Sequence, residues 1–278
     1  MKLAVNNLMF HVEQAGSGYP LLLLHGFTGS AATWGAHIPH FATRRQIIAP
    51  DLIGHGQTDA PANAARYSMA HCVADLLTLL DTLEVERADV LGYSMGGRVA
   101  LHLAVAAPHR VRSLLLESAT PGIDKSAERA ERVRSDEALA DAIENDGVAA
   151  FVKRWERLPL FDSQVVLPPE VRANLHSQRL QNRSIGLANS LRGMGTGQQQ
   201  HLWDKLSVIK MSTLLLVGEL DAKYCATARR MAKTLPRVRM VVVLNAGHTI
   251  HLEQPDIFEQ EVTEFLDSVA TASTDEAK

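Results

Sequence analysis

The chain has 278 residues, 46% of them hydrophobic and 21% charged, with a formal net charge of −3 when histidine is neutral. That length allows one or two domains around a sizeable core. The near balance of charge excludes a field for nucleic acid or an anionic membrane, so any charge recognition has to be local.

In chain order, Lys2–Glu13 alternates weakly and predicts an edge hairpin. Short, nearly continuous apolar runs follow at Leu21–Leu24, Ile47–Ala49, Val90–Leu91 and Leu114–Leu116, the pattern of strands buried on both faces. Helical patterns lie between them at Ala70–Leu83 and Met95–Ala106, the latter ended by Pro108. From Pro121 to Lys205 the strands stop, and Ser126–Asn145, Val148–Arg157 and Pro169–Gly193 favour helix. Strand runs resume at Thr213–Val217 and Met240–Leu244, and a helix from about Asp256 to Val269 closes the pattern. The alternation predicts an α/β protein with a mostly parallel sheet and helices on both faces. Residues 1–120 and 206–270 form its core, 121–205 a helical cap inserted after the sixth strand, and 271–278 a frayed polar tail. Met1–Val12 lacks a signal segment and no run approaches a membrane span, so a cytoplasmic protein is expected. Cys72 and Cys225 fit buried thiols in a reducing compartment.

The strongest local signal is Gly92-Tyr93-Ser94-Met95-Gly96-Gly97, placed directly between a strand and a helix. A G-x-S-x-G string in that context is a nucleophile elbow, which makes the fold an α/β-hydrolase fold. In this architecture the acid and base follow in the order Ser, Asp, His. Asp221 sits just past the strand Thr213–Val217 and His248 just past Met240–Leu244, both at the carboxyl edge where open α/β sheets place their sites. Ser94, His248 and Asp221 therefore form the expected triad, with His248 taking the serine proton and Asp221 fixing the imidazole. Glu219 is the competing acid, disfavoured because it points to the other strand face. Among twelve histidines, His251 lies further into the next segment, His55 sits in a tight Gly-rich turn, and His25 shapes the loop before Phe27. The backbone amides of Phe27 and Met95 are the candidate oxyanion hole. No spacing suggests a metal site, and no cofactor is expected.

Arg98 lies one helical turn after Ser94, an unusual neighbour if the substrate were a plain apolar ester. The predicted cap carries twelve Lys+Arg and twelve Asp+Glu between Pro121 and Lys205, so an anion site there needs particular arginines. The strings His25–Ser30, Gly92–Arg98 and Ala130–Asp136, together with Trp155, resemble the 2-succinyl-6-hydroxy-2,4-cyclohexadiene-1-carboxylate synthases, lyases of menaquinone biosynthesis. The likeness runs from Leu21 to about Glu259. It implies a small polycarboxylate substrate, from which pyruvate is eliminated. It also implies carboxylate-binding roles for Arg98, Arg132 and Arg179, with Arg183 a rival to Arg179, and pocket roles for Tyr93, Trp155 and His25. Serine hydrolysis through a covalent Ser94 intermediate, and a weakly catalytic binding protein, remain the competing readings.

Overall fold

The computed structural model describes residues 1–275. The chain opens with a hairpin, β1 (Lys2–Val5) and β2 (Leu8–Ala15), paired antiparallel with Val5 opposite Leu8. Its two-residue turn is Asn6-Asn7, at φ 48° and 66°. Both positions of this turn demand left-handed backbone, which asparagine tolerates better than most side chains.

Six further strands complete one sheet: β3 (Tyr19–Leu24), β4 (Arg45–Pro50), β5 (Ala88–Tyr93), β6 (Val111–Glu117), β7 (Ser212–Gly218) and β8 (Val238–Val243). The spatial order is β1-β2-β4-β3-β5-β6-β7-β8. The β2–β4 pair is antiparallel and every pair from β4 through β8 is parallel. The apolar runs read from sequence are the central strands, and their period of two divides them between two cores. Leu21 and Leu23 face one core with Trp34, Phe258 and Val262. Leu22 and Leu24 face the other with Leu76, Val99 and Cys225.

Helices α1 (Ile38–Phe41), α2 (Met69–Thr82) and α3 (Met95–Ala106) connect the first strands. Between β6 and β7 come α4 (Ser126–Trp155), α5 (Pro169–Leu180) and α6 (Ser184–Met194). The last helices are α7 (Ala222–Ala232), α8 (Ile250–Glu253) and α9 (Pro255–Asp275). The break expected after Asn145 is present inside α4, where Gly147 stands at φ 82°. The single helical stretch anticipated over Pro169–Gly193 is instead divided. Asn182 sits at the division, its side-chain amide donating to the carbonyls of Thr28 and Arg179. Helices α4 and α6 share a small core of their own, which includes Ile143, Phe151, Leu187 and Leu191 and packs on Phe27. The closing helix continues to Asp275, into the stretch predicted as a frayed tail; residues 276–278 lie outside the described residues. No helix among the described residues is long and apolar enough to cross a membrane.

The sheet holds one buried charge cluster. Asp89 on β5 is fully buried and accepts from Arg112 Nε at 2.9 Å and Ser113 Oγ at 2.6 Å, with Arg45 Nη1 at 3.6 Å. Removing the carboxylate would strand the largely buried guanidinium of Arg112, while Arg45 keeps its 3.0 Å contact with Asp267; breaking such a buried pair costs about 3–5 kcal/mol. Asp89→Ala should therefore lower the unfolding free energy measured in urea by that amount at unchanged slope, whereas a loss under about 1 kcal/mol would show that water compensates Arg112.

Candidate active site

Strand β5 ends at Tyr93 and α3 begins at Met95, leaving Ser94 alone in the turn at φ 50°, ψ −104°. Such a conformation is strained for a non-glycine residue and survives only where the surroundings enforce it. The flanking glycines are part of that enforcement. A Cβ on Gly92 would stand 2.4 Å from Gly96 O, and one on Gly96 would stand 2.1 Å from Leu24 O. No larger residue lets strand, turn and helix close this tightly.

His248, in the loop after β8, approaches the turn from the other side. Its Nε2 is 3.0 Å from Ser94 Oγ and its Nδ1 is 2.7 Å from Asp221 Oδ2. The structure thus brings together the three residues expected to form the triad. Asp221 also caps α7, accepting from Tyr224 N at 3.1 Å, which leaves its Oδ2 for the imidazole. Glu219 instead faces the surface and accepts from Asn245 N. The backbone on either side of His248 is held by one carboxylate: Glu253 accepts from Gly247 N at 2.6 Å and from Thr249 N at 3.1 Å. Sequence reading missed this clamp, although Glu253 lies only five residues beyond the histidine.

The loop carrying Phe27 packs on the elbow, since a Cβ at Gly26 would meet the Tyr93 ring at 2.5 Å and Ser94 Cβ at 3.6 Å. Among the described residues the amides of Phe27 and Met95 have no protein acceptor, leaving both N–H groups free for a developing oxyanion. His25 is not a pocket residue. It is fully buried, with Leu52 N donating to its Nε2 at 2.9 Å and its Nδ1–H reaching Gly26 O at 2.8 Å. Both ring nitrogens are spent on holding the loop, so the substrate contact implied for His25 gives way to a structural role.

A cavity of about 140 Å³ opens onto Ser94 and His248. Tyr93, Arg98, Arg132 and Trp155 line it, as the resemblance implied, and Lys223, Tyr224, Phe161 and Ser190 join them. Lys223 and Tyr224 follow the triad acid on the first turn of α7, an adjacency that could have flagged them. Ser190 and Phe161 carry no comparable signal. Arg98 is buried, and its Nη1 donates to Met194 O at 2.6 Å and Gln199 Oε1 at 2.5 Å. It has no carboxylate partner among the described residues. Burial pushes its pKa down to about 10, which still leaves it charged at neutral pH. Arg132 is half-exposed and its Nε pairs with Asp136 at 2.7 Å.

Arg179 lines a neighbouring chamber that shares Phe27, Tyr93 and Phe161 with this cavity. It pairs with Glu156 at 3.1 Å, lies over the Phe161 ring at 5.2 Å, and also lines a second chamber with Glu156 and His176. Its rival Arg183 donates to the Thr58 carbonyl, away from the triad cavity. His251 binds both oxygens of the buried Glu117 at 2.9 Å and so pins α8 to the end of β6. Among the described residues no group of three His, Cys, Asp or Glu side chains is arranged to hold a metal.

The model of the alpha/beta hydrolase fold family matches residues 19–255. The chain is 46% identical over 257 residues to the putative 2-succinyl-6-hydroxy-2,4-cyclohexadiene-1-carboxylate synthase of Bacillus subtilis, covering 92% of this chain and 93% of that one. It is 30% identical over 245 residues to the synthase of that name from Klebsiella pneumoniae, covering 88% and 92%. Among solved structures, MenH from S. aureus superimposes at a TM-score of 0.90 with 35% identity, covering 94% of this chain and 98% of that one. A thermophilic esterase from Thermogutta terrifontis, solved with malate bound, superimposes at 0.86 with 27% identity, covering 97% and 98%.

Two measurements test this construction. The clamp predicts that Glu253→Ala lowers kcat roughly 10- to 100-fold, the loss of about 1.4–2.8 kcal/mol of organisation around His248, with little change in the thermal midpoint; full activity would remove Glu253 from the machinery. Burial pushes His25 and His55 down to about 4 and about 3. The unfolded chain protonates both near 6.5, so below that pH it binds more protons than the native state. Stability is then fully present above pH 6.5 and falls as the pH drops towards 4. Urea midpoints measured from pH 7 to pH 4.5 should follow this decline, and His55→Gln should flatten it.

Proposed function

The chain belongs to the α/β-hydrolase-fold family and, within it, to the 2-succinyl-6-hydroxy-2,4-cyclohexadiene-1-carboxylate synthases, and we propose that it is the pyruvate-eliminating lyase of menaquinone biosynthesis. Its substrate would be 2-succinyl-5-enolpyruvyl-6-hydroxy-3-cyclohexene-1-carboxylate. One observation carries this reading furthest: the cavity around Ser94 has Arg98, Arg132 and Lys223 in its wall and no Asp or Glu. A buried guanidinium without a carboxylate is costly in the empty protein. It becomes favourable when an anionic ligand supplies the missing partner. A neutral ester would supply none.

The chemistry follows from the difference between substrate and product. The ring carbon that bears the succinyl ketone loses a proton and its electron pair forms a new ring double bond, the existing double bond shifts by one position, and the carbon–oxygen bond to the enolpyruvyl group breaks. Ser94, with its proton drawn to His248, is the base at that carbon. Negative charge develops on the succinyl carbonyl oxygen, where the free amides of Phe27 and Met95 stabilise it. Asp221 balances the charge on His248 while the imidazole holds the proton. The leaving group departs as the enolate of pyruvate and takes up a proton to become pyruvate. No bond to Ser94 forms.

A covalent serine hydrolase is the second reading, favoured by the 3.0 Å Ser94–His248 contact and by the likeness to the Thermogutta terrifontis esterase. Following pyruvate release together with the mass of the enzyme separates the two. The lyase releases pyruvate with no adduct on Ser94; the hydrolase leaves an acyl group on Ser94 with a nitrophenyl ester and releases no pyruvate. Ser94→Ala should abolish turnover. Arg98→Ala should reduce kcat/KM by roughly 10²- to 10³-fold, as expected for removing one partner of a buried carboxylate. Unchanged turnover in Arg98→Ala would take that residue out of the site.

A further inference from the structure

The stretch Pro159–Val166 joins α4 to α5 and lies against the loop that carries His248. Of its residues only Phe161 and Gln164 are buried, while Val165 and Val166 face solvent. The Phe161 ring lines the triad cavity and stands edge-on to His248, with centroids 6.3 Å apart. Ser163 abuts Gly247, where a Cβ would come within 2.1 Å of the serine Oγ. Gln164 Nε2 donates to Thr249 Oγ1 at 2.7 Å, and both side chains are buried. Three consecutive loop residues, Gly247, His248 and Thr249, thus each meet one residue of this stretch.

Local rules do not account for the bond to Thr249. A threonine immediately before a helix ordinarily turns its hydroxyl onto the first amides of that helix. Thr249 precedes α8 and makes no such cap. Its hydroxyl is given instead to Gln164, 85 residues earlier in the chain. A buried amide is costly unless bonded, so this contact is what admits glutamine here. Thr249 Oγ1 also stands 3.4 Å from the hydroxyl of Tyr93, the residue before the nucleophile. Glu253 holds the backbone of the same loop at Gly247 N and Thr249 N. We propose that Gln164 is a positioning residue for catalysis, which acts through Thr249 to fix the loop so that His248 Nε2 meets Ser94 Oγ. Gln164 does not line the triad cavity, so its effect is on the orientation of the base rather than on ligand affinity. The inference rests on Ser94 and His248 as the working pair, which elimination and hydrolysis share.

The test compares wild type with Gln164→Met, Thr249→Val, the double variant and Thr249→Ser, in pyruvate release and in hydrolysis of a nitrophenyl ester. Gln164→Met keeps the length of the side chain and removes the amide; Gln164→Leu replaces it if that variant does not fold. In whichever assay the wild type turns over, Gln164→Met and Thr249→Val should each lower kcat roughly tenfold, as for one buried hydrogen bond. The ratio kcat/KM should fall in parallel, the mark of an interaction that serves the transition state. The double variant should lose no more than the larger single loss, because both changes break the same bond. Thr249→Ser keeps the hydroxyl and should recover most of the rate. A multiplied loss of roughly a hundredfold in the double variant would overturn the proposal, since the two residues would then act independently. Thr249→Ser as slow as Thr249→Val would overturn it too, by showing that the methyl and not the hydroxyl matters. So would a rise in KM at constant kcat for Gln164→Met, which would make Gln164 a ligand contact. If only the ester is turned over and its rate depends on Gln164 and Thr249 in this way, the lyase reading fails and this inference stands. If pyruvate is released at rates indifferent to Gln164, the inference fails and the lyase reading stands. A wild type inert in both assays would overturn both.

Discussion

The site depends on one unfavourable backbone conformation. Ser94 is held at φ 50° with ψ −104°, a state that costs on the order of 1–3 kcal/mol for a residue with a side chain. It persists because the turn is closed on every side. Ser94 N donates to Glu117 O at 2.9 Å, tying the elbow to β6, and the carbonyl of Leu24 on β3 occupies the space that a larger residue at Gly96 would need. The strain places Oγ above the carboxyl ends of the strands, where the Phe27 loop and the His248 loop also arrive. A relaxed serine in the same stretch would continue the strand or enter the helix and reach neither loop.

The same carboxyl edge is reinforced by acids that never touch the cavity. Glu117, fully buried at the end of β6, binds the His251 ring, and His37 Nε2 in turn contacts His251 O at 2.9 Å. Glu253 gathers the amides on either side of His248. These carboxylates lie beneath the catalytic histidine while the cavity above it is lined by cations. The supporting acids Glu117 and Glu253 are thus absent from the cavity wall, which carries Arg98, Arg132 and Lys223. Of the three cations in the wall, Arg132 alone has a carboxylate partner among the described residues, Asp136, so the cavity keeps an excess of positive charge for a bound anion.

Much of this was legible in the residues because it rests on local pattern. The elbow is a contiguous string, the central strands announce themselves as apolar runs, and Asp221 and His248 each follow such a run. The parts that stayed hidden are those decided by tertiary packing. Arg132 stands i,i+4 from Asp136 and also lines the cavity, so neither the pairing nor the pocket role could be excluded from spacing. Arg179 is implied by the resemblance alone, and its 3.1 Å pairing with Glu156, 23 residues earlier, has no signature in the sequence. The resemblance gives His25 a pocket role, yet both its nitrogens are taken by backbone groups, in keeping with its reading as a loop-shaping residue. Lys223 had no motif to mark it; only the proximity of α7's first turn to the triad makes it a wall of the cavity.

The triad by itself does not select a reaction, because a serine paired with a histidine can attack a carbonyl carbon or remove a proton. What differs is which atom of the ligand is presented to Oγ. In hydrolysis the carbonyl carbon lies over Oγ with its oxygen between the two amides. In elimination the oxygen keeps that place but the carbon beside the carbonyl must face Oγ instead. A rotation of the ligand by roughly one bond separates the two outcomes, and anchoring charges at the periphery can hold it on one side. Under the proposed function, Arg98, fixed one turn along α3 from the nucleophile, and the other cations in the cavity wall would supply such anchors. In the proposed elimination, binding energy at the carboxylates would be converted into orientation at the reacting carbon, letting an elbow built for acyl transfer act as a base.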